Sequence, residues 1–250
     1  HVRSRRQRQM CIRDRVSRLQ PSQGRARLRA GLGEARACRD ISVLIGHCVI
    51  ATLDGREGHF AEAFAELAEA ERLMHIWDVP PVYYLAMITL VKCELWLAQG
   101  RIDLAESWLL RLGQTYGGEQ PAAAPEFHPL LPLHIALQQA LLERIQSRSD
   151  DAVQRLASLV ERGQASGGMM LSVSALCQWL GLLLGEGREE QAAQLLPRLL
   201  EAAQGGVLQP FQPLLEQHPQ WLHEQLQAVA ACPVQALSLI HISEPTRQEA

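Results

Sequence analysis

Lysine is almost missing from this chain. Lys92 is the sole lysine among 24 basic residues, the rest being arginine, a bias that points to GC-rich coding and a bacterial source. Aromatic residues make up only 5% and β-branched residues are sparse, which argues against a sheet-built core. No run of about eighteen apolar residues occurs, so a transmembrane helix is excluded and a soluble, cytoplasmic protein is expected. A phosphate-binding loop GxxxxGK[ST] is absent. The stretch Gly31-Leu32-Gly33-Glu34-Ala35-Arg36 lacks both the third glycine and the preceding strand of a dinucleotide fingerprint, so no cofactor is expected. What remains is rich in alanine, leucine, glutamine and glutamate, the residues that favour helix. At 250 residues and 47% hydrophobic content, the chain can build one large or two small cores, which excludes a disordered tail or a disulfide-stapled miniprotein.

The two ends read differently from the middle. Met10-Cys11-Ile12-Arg13-Asp14-Arg15 can be encoded by ATG TGT ATA AGA GAC AGG, and Leu237-Ser238-Leu239-Ile240-His241-Ile242 by CTG TCT CTT ATA CAC ATC. Over their shared stretch these codons are reverse complements, the pattern of the two arms of a transposase sequencing adapter. Residues 1–15 and 237–250 are therefore expected to be translated adapter rather than native protein. They hold seven arginines and three acidic residues, so residues 16–236 keep 17 basic and 24 acidic side chains. That net charge of −7 removes the nucleic-acid footprint that the arginine-rich start would otherwise suggest. Cys38, Cys48, Cys93, Cys177 and Cys232 remain, an odd number without CxxC spacing, and are expected to be reduced thiols.

A degenerate repeat organises the middle. Gly58, Gly100, Ser147 and Gly187 are spaced by 42, 47 and 40 residues. Five residues after each stands alanine (Ala63, Ala105, Ala152, Ala192), and four further on stands leucine (Leu67, Leu109, Leu156, Leu196). Three beyond that is another apolar residue (Ala70, Leu112, Leu159, Leu199). Fourteen, ten and seven residues before each small residue lie Leu44, Cys48 and Ala51; Ala86, Leu90 and Cys93; Leu133, Leu137 and Ala140; Val173, Cys177 and Leu180. Both sets are apolar stripes at helical spacing. Each unit reads as an antiparallel helix pair closed by the small residue, with Asp103 and Asp150 placed to cap the second helix or favour its dipole. Such pairs must stack to bury their faces, so an all-α, right-handed superhelix of tetratricopeptide-like pairs is expected over residues 41–226. Residues 16–40, rich in arginine and glycine with little apolar period, read either as a poorly ordered helix or as bases out of frame. Residues 227–236 read as the start of a linker.

Chemistry is sparse. His128 with His134, and His218 with His223, lack both i,i+4 spacing and cysteine neighbours, so no metal site is expected. No catalytic residue is expected, and Cys48, Cys93 and Cys177 read as small hydrophobes on the packed stripe. Trp96 and Trp179 read as core. Residues 113–132 form the longest irregular segment and are a binding-loop candidate. Tyr83, Tyr84, Trp108, Phe127 and His128 are the best aromatic cluster. They suit either a sugar ring or partner helix on the concave side, or plain packing between repeats.

Three segments carry a resemblance: Leu97-Ala98-Gln99-Gly100-Arg101-Ile102-Asp103-Leu104-Ala105, then Pro125-Glu126-Phe127, then residues 183–192 with Gly185-Glu186-Gly187-Arg188 at their centre. In this order the chain resembles the superhelical sensor domain of MalT-like, LuxR-type ATP-dependent transcriptional activators, from about residue 41 to 226. It includes residues 203–211, where a glycine-containing turn follows the last long helix. The resemblance implies an inducer-binding and oligomerisation segment, a small-molecule inducer such as an oligosaccharide, and self-association or a protein partner. It also implies that ATP and DNA are bound only by domains outside these residues, a nucleotide-binding ATPase before and a helix-turn-helix after. The rival expectations are a free-standing tetratricopeptide-like scaffold for a protein or peptide, and a regulatory domain attached to an enzyme such as a signalling kinase.

Overall fold

A computed structural model of the chain describes residues 21–125, 128–203 and 209–228. Every regular element among them is helical: α1 Pro21–Ala37, α2 Ser42–Arg56, α3 Phe60–Ile76, α4 Pro81–Ala98, α5 Ile102–Gly117, α6 Leu131–Ile145, α7 Ser149–Ala165, α8 Met169–Gly185 and α9 Glu189–Ala202. A 3-10 turn at Gln209–Phe211 leads into α10 Gln212–Gln217 and α11 Pro219–Ala228. The all-α class read from composition is the class observed. The expected adapter segments, Cys232, and the glycine pair Gly205 and Gly206 lie outside the described residues.

The helices are joined by one recurring turn. Gly58, Gly100, Ser147 and Gly187, the four small residues of the repeat, all have positive φ, between 60° and 81°. Each donates its N–H three residues back. The residue after it donates five residues back, as in Arg101 N–H to the Trp96 carbonyl at 2.8 Å and Arg188 N–H to the Leu183 carbonyl at 2.9 Å. This bond pair satisfies carbonyls that the helix end leaves open. The same turn closes the links from α1 to α2, α3 to α4 and α7 to α8, at Arg39, Asp78 and Gly167, whereas α5 and α6 are joined by the longer segment 118–130. Arg39 and Asp78 escape a search for small residues because they are ordinary L-residues held left-handed.

Every residue of both predicted stripes is buried, from Leu44, Ala63 and Leu67 at 0% exposure to Ala86, Leu112 and Leu137 at 8%. Each leucine so placed contributes about 1.5–3 kcal/mol. Asp103 and Asp150 stand in the first turns of α5 and α7. The cap of α5 is Arg101, which makes no side-chain cap bond, so Asp103 acts on the helix dipole rather than as a cap. The irregular segment is also shorter than expected. Helix α5 runs on through Gly117 and α6 begins at Leu131, because Gly113 lies inside α5, where its missing side chain leaves room for the Gln139 amide.

The described residues fall into two compact units, 21–148 and 149–228. In the first, α2, α4 and α6 touch in succession to form one layer, with α3 and α5 against it and α1 on α2. Gly55 lets Leu95 of α4 cross α2 closely. One core gathers Val43, Leu44, Leu67, Met74 and Ile88, and another gathers Leu90, Leu97, Leu109, Leu131 and Ile135. In the second unit α8 is central, with Leu171, Val173, Leu176, Leu180 and Leu183 buried, and it packs on α7, α9 and the 3-10 turn. The division falls in the third predicted pair, so α6 and α7 belong to different units. Residues 21–37, left with two readings by the sequence, form α1.

Because Gly100 sits at φ 71° with no heavy atom within 4 Å of the point a Cβ would occupy, Gly100→Val is expected to cost about 1–2 kcal/mol through backbone strain alone. Gly31→Ala, in helical backbone with equally open space, is expected to stabilise by up to about 1 kcal/mol. Urea unfolding of both variants checks this, and equal midpoints would remove the assigned role of the turn.

Candidate functional site

Of the predicted aromatic cluster, Tyr84 is enclosed in the core whereas Trp108 is exposed. Tyr84, in the first turn of α4, is 2% exposed and belongs to the core made by α2, α3 and α4. Burial, and secondarily the charge of Asp40, raises its phenol. A ring so enclosed packs between repeats and presents no face to a ligand. Trp108 is 36% exposed on α5, with the Arg111 guanidinium 5.2 Å from its ring centroid. This cation–π pair contributes about 0.5–1 kcal/mol at an exposed position. Phe127 and the side chain of Tyr83 lie outside the described residues. Trp96 is half-buried and leans on Phe64, ring centroids 6.3 Å apart, while Trp179 is half-buried on α8.

His128 stands at the end of the loop that leads into α6. Its ring lies 5.0 Å from that of His134, tilted by 53°. The His134 Nδ1 is 3.0 Å from the Leu130 carbonyl, so Nδ1–H donates and Nε2 is left as an acceptor. Burial, reinforced by the neighbouring His134, pushes His128 down to about 4. Burial lowers His134 as well, against the pull of the Leu130 carbonyl and the Glu94 charge. At neutral pH both rings are therefore uncharged. One turn beyond His134, Gln138 carries a buried Oε1 with no hydrogen-bond partner, and Glu94 on α4 reaches Arg56 on α2 at 3.8 Å. These groups lie on α2, α4, α6 and the loop before α6. They offer acceptors for a donor-bearing ligand. Burial pushes Cys48 and Cys93 up to about 12 and Cys177 well above its ordinary value, which keeps these thiols protonated. Among the described residues no group of three or more His, Cys, Asp or Glu is placed to hold a metal, and no helix is long and apolar enough to cross a membrane.

A second polar assembly was missed by the sequence reading. Arg25 of α1 lies 3.0 Å from Asp54 and 2.7 Å from Glu57. Arg29 reaches Glu66 at 3.4 Å, and Arg36 reaches Glu69 at 2.9 Å. Below them His47 Nδ1 is 2.6 Å from Glu66, and Arg72 bonds Glu69 through two nitrogens at 2.6 and 2.7 Å. The signal was present in the spacing. Arg25, Arg29, Leu32 and Arg36 recur at i, i+4, i+7 and i+11, and Glu62, Glu66 and Glu69 at i, i+4 and i+7, each a single helical stripe.

Comparison of the chain with protein-family models, curated proteins and solved structures finds no match.

The histidine pair sets a pH dependence. An unfolded chain titrates its histidines near 6.5, whereas the folded chain holds His128 neutral down to about 4. Between these values the unfolded state binds more protons, so the contribution is complete above pH 6.5 and is lost as pH falls through the window. Urea midpoints are expected to drop across it, and His128→Gln to flatten the drop. Equal slopes for the two chains would take His128 out of the account.

Proposed function

We propose that residues 41–226 are a non-enzymatic binding and oligomerisation scaffold, a right-handed superhelix of tetratricopeptide-like pairs. In this proposal they serve as the inducer-sensing segment of a MalT-like, LuxR-type ATP-dependent activator in the bacterial cytoplasm. The observation that carries the scaffold reading is the recurrence, at four predicted positions, of one left-handed residue followed by the same buried stripe. Contacts of α2 with α4 and of α4 with α6 support stacking of pair on pair. The regulator reading rests on the resemblance of segments 97–105 and 183–192. In it, a small-molecule inducer meets the solvent-facing side chains, with an oligosaccharide as the class the resemblance implies and Trp108 as the available aromatic face. Self-association or a protein partner uses the remaining surface, and ATP and DNA are handled by domains outside these residues.

A second reading, a free-standing scaffold for a protein or peptide, is favoured by one specific observation. Both resembling segments coincide with the turns at Gly100 and Gly187, and any stacked helix pair requires such turns. The uninterrupted locus decides between the two. An ATPase with a phosphate-binding loop before these codons and a helix-turn-helix after them is expected, whereas stop codons close to both ends would overturn the regulator reading. Within the segment, Trp108→Ala is expected to weaken binding of maltotriose, used as the probe, several-fold, while lowering stability by less than about 1 kcal/mol, as for an exposed side chain. Unchanged affinity in titration calorimetry would remove Trp108 from the site.

A further inference from the structure

Helix α1 is the least self-sufficient element of the first unit. Gly24, Gly31 and Gly33 interrupt its interior, and each glycine there weakens a helix by about 0.8–1 kcal/mol relative to alanine. A helix of this length and composition does not persist alone in water. Among the described residues, Leu32 and Ala35 are its partly buried neighbours of the α2–α3–α4 core, Leu32 being received by Gly46 of α2. Beside them α1 presents its row of guanidiniums, seated on Asp54, Glu57, Glu66 and Glu69 of α2, α3 and the turn between them.

The receiving face is built to take positive charge. Asp54 is 2% exposed, and its Oδ2 has no hydrogen-bond partner. The Arg29 guanidinium stands 3.8 Å from that oxygen, and Arg25 lies 3.0 Å from the other oxygen of the same carboxylate. A buried carboxylate oxygen left open is costly, and burial raises Asp54 despite Arg25 and Arg29 beside it. One acceptor of the face therefore stays unmet with α1 docked, as do the buried Nε and Nη2 of Arg25 beside it, so charge rather than well-made hydrogen bonds holds α1 there. The carboxylates lie on two helices whose own packing, through Leu44, Cys48, Ala63 and Leu67, does not depend on α1.

We infer that the acidic face of α2 and α3 is a docking surface for an arginine-bearing helix of a partner protein, and that α1 is its cis occupant, an intramolecular competitor held mainly by charge. The partner helix presents arginine at i, i+4 and i+11 with a leucine at i+7, the arrangement α1 itself displays. Its binding requires α1 to leave, so the affinity seen from outside is set by how often α1 is undocked. Salt weakens α1 and partner alike. This inference stands on the ion pairs and is independent of the regulator reading.

The test uses the full chain and, as probe, a labelled peptide of residues 21–37. With Arg25→Ala, Arg29→Ala and Arg36→Ala together, the face is emptied, and the peptide is expected to bind at least tenfold more tightly than to the unsubstituted chain. The gain should fade with added salt and be lost when Glu66→Gln and Glu69→Gln are added. Equal binding to the emptied and unsubstituted chains, no binding to either, or indifference to the two glutamine changes overturns the inference. So does a salt-sensitive dimer of the unsubstituted chain in sedimentation, which would make a second copy the occupant. Should the triple variant lose its helical circular dichroism, hydrogen exchange of the unsubstituted chain takes its place. Residues 21–37 are then expected to exchange at least tenfold faster in high salt while α2 and α3 hold their rates, and unchanged protection of α1 overturns the inference.

Discussion

The left-handed residue that ends seven of the described helices is the constraint on which the rest of this structure depends. A helix stops with open carbonyls, and the two backbone bonds formed around Gly58, Gly100, Ser147 and Gly187 answer them while turning the chain back within about three residues. At Gly58, Gly100 and Gly187 the chain so turned packs the next helix against the one it came from, α3 on α2, α5 on α4 and α9 on α8. The stripe then has to begin at a fixed distance from the turn, which is why alanine stands five residues past each small residue, fully buried in every unit. Turn and stripe therefore depend on each other. A turn shifted by one residue would rotate the following helix by about 100° and face Leu67, Leu109, Leu156 and Leu196 toward water.

Two kinds of adhesion coexist on this frame, and they differ in strength and in salt response. The pairs are held by leucines and alanines packed at 0–8% exposure, a force insensitive to ionic strength. Helix α1 is held by guanidinium–carboxylate pairs, most of them partly exposed, each contributing between nothing and about 1 kcal/mol. The buried Arg25–Asp54 contact is the exception in burial but not in net gain, since Asp54 gives up water on one oxygen without a replacing hydrogen bond. An element held in this way is separable from the body it covers, whereas α4 or α8, sunk among neighbours on several sides, is not.

What was legible in the sequence follows the same line. Apolar side chains at helical spacing announce their burial because no other environment suits them, so the paired stripes and the four turns could be read directly. Arg39 and Asp78 could not, because the backbone geometry they adopt is imposed by the packing on either side and leaves no compositional trace. Tyr84 misled for a related reason: a tyrosine suits a ligand platform and a core equally well, and only the enclosing side chains of α2 and α3 decide. Helix α1 was obscured by its chemistry. Its periodicity is carried by arginine, so a search for apolar recurrence passes over it, and proximity to the arginine-rich start made its charge look like part of that start. The division at Arg148 and Ser149 also escaped, since the Ser147 turn on its near side has the same bonds as the others.

These differences determine where specificity can reside. The stripe and the turn are common to every unit and are required by folding alone, so a resemblance carried by segments 97–105 and 183–192 speaks first about how the chain is folded. Distinctions between one such array and another must come from positions the fold leaves free. In the first unit those are the polar groups of Arg56, Glu94, His134 and Gln138, the exposed Trp108, and the carboxylates beneath α1. Only the last already has a helix seated on it. The occupant shows by its own arginine spacing what the surface selects, and its three interior glycines keep its hold weak enough for exchange. A tighter α1, with alanine in place of those glycines, would make the same face permanent packing and leave it closed to any partner.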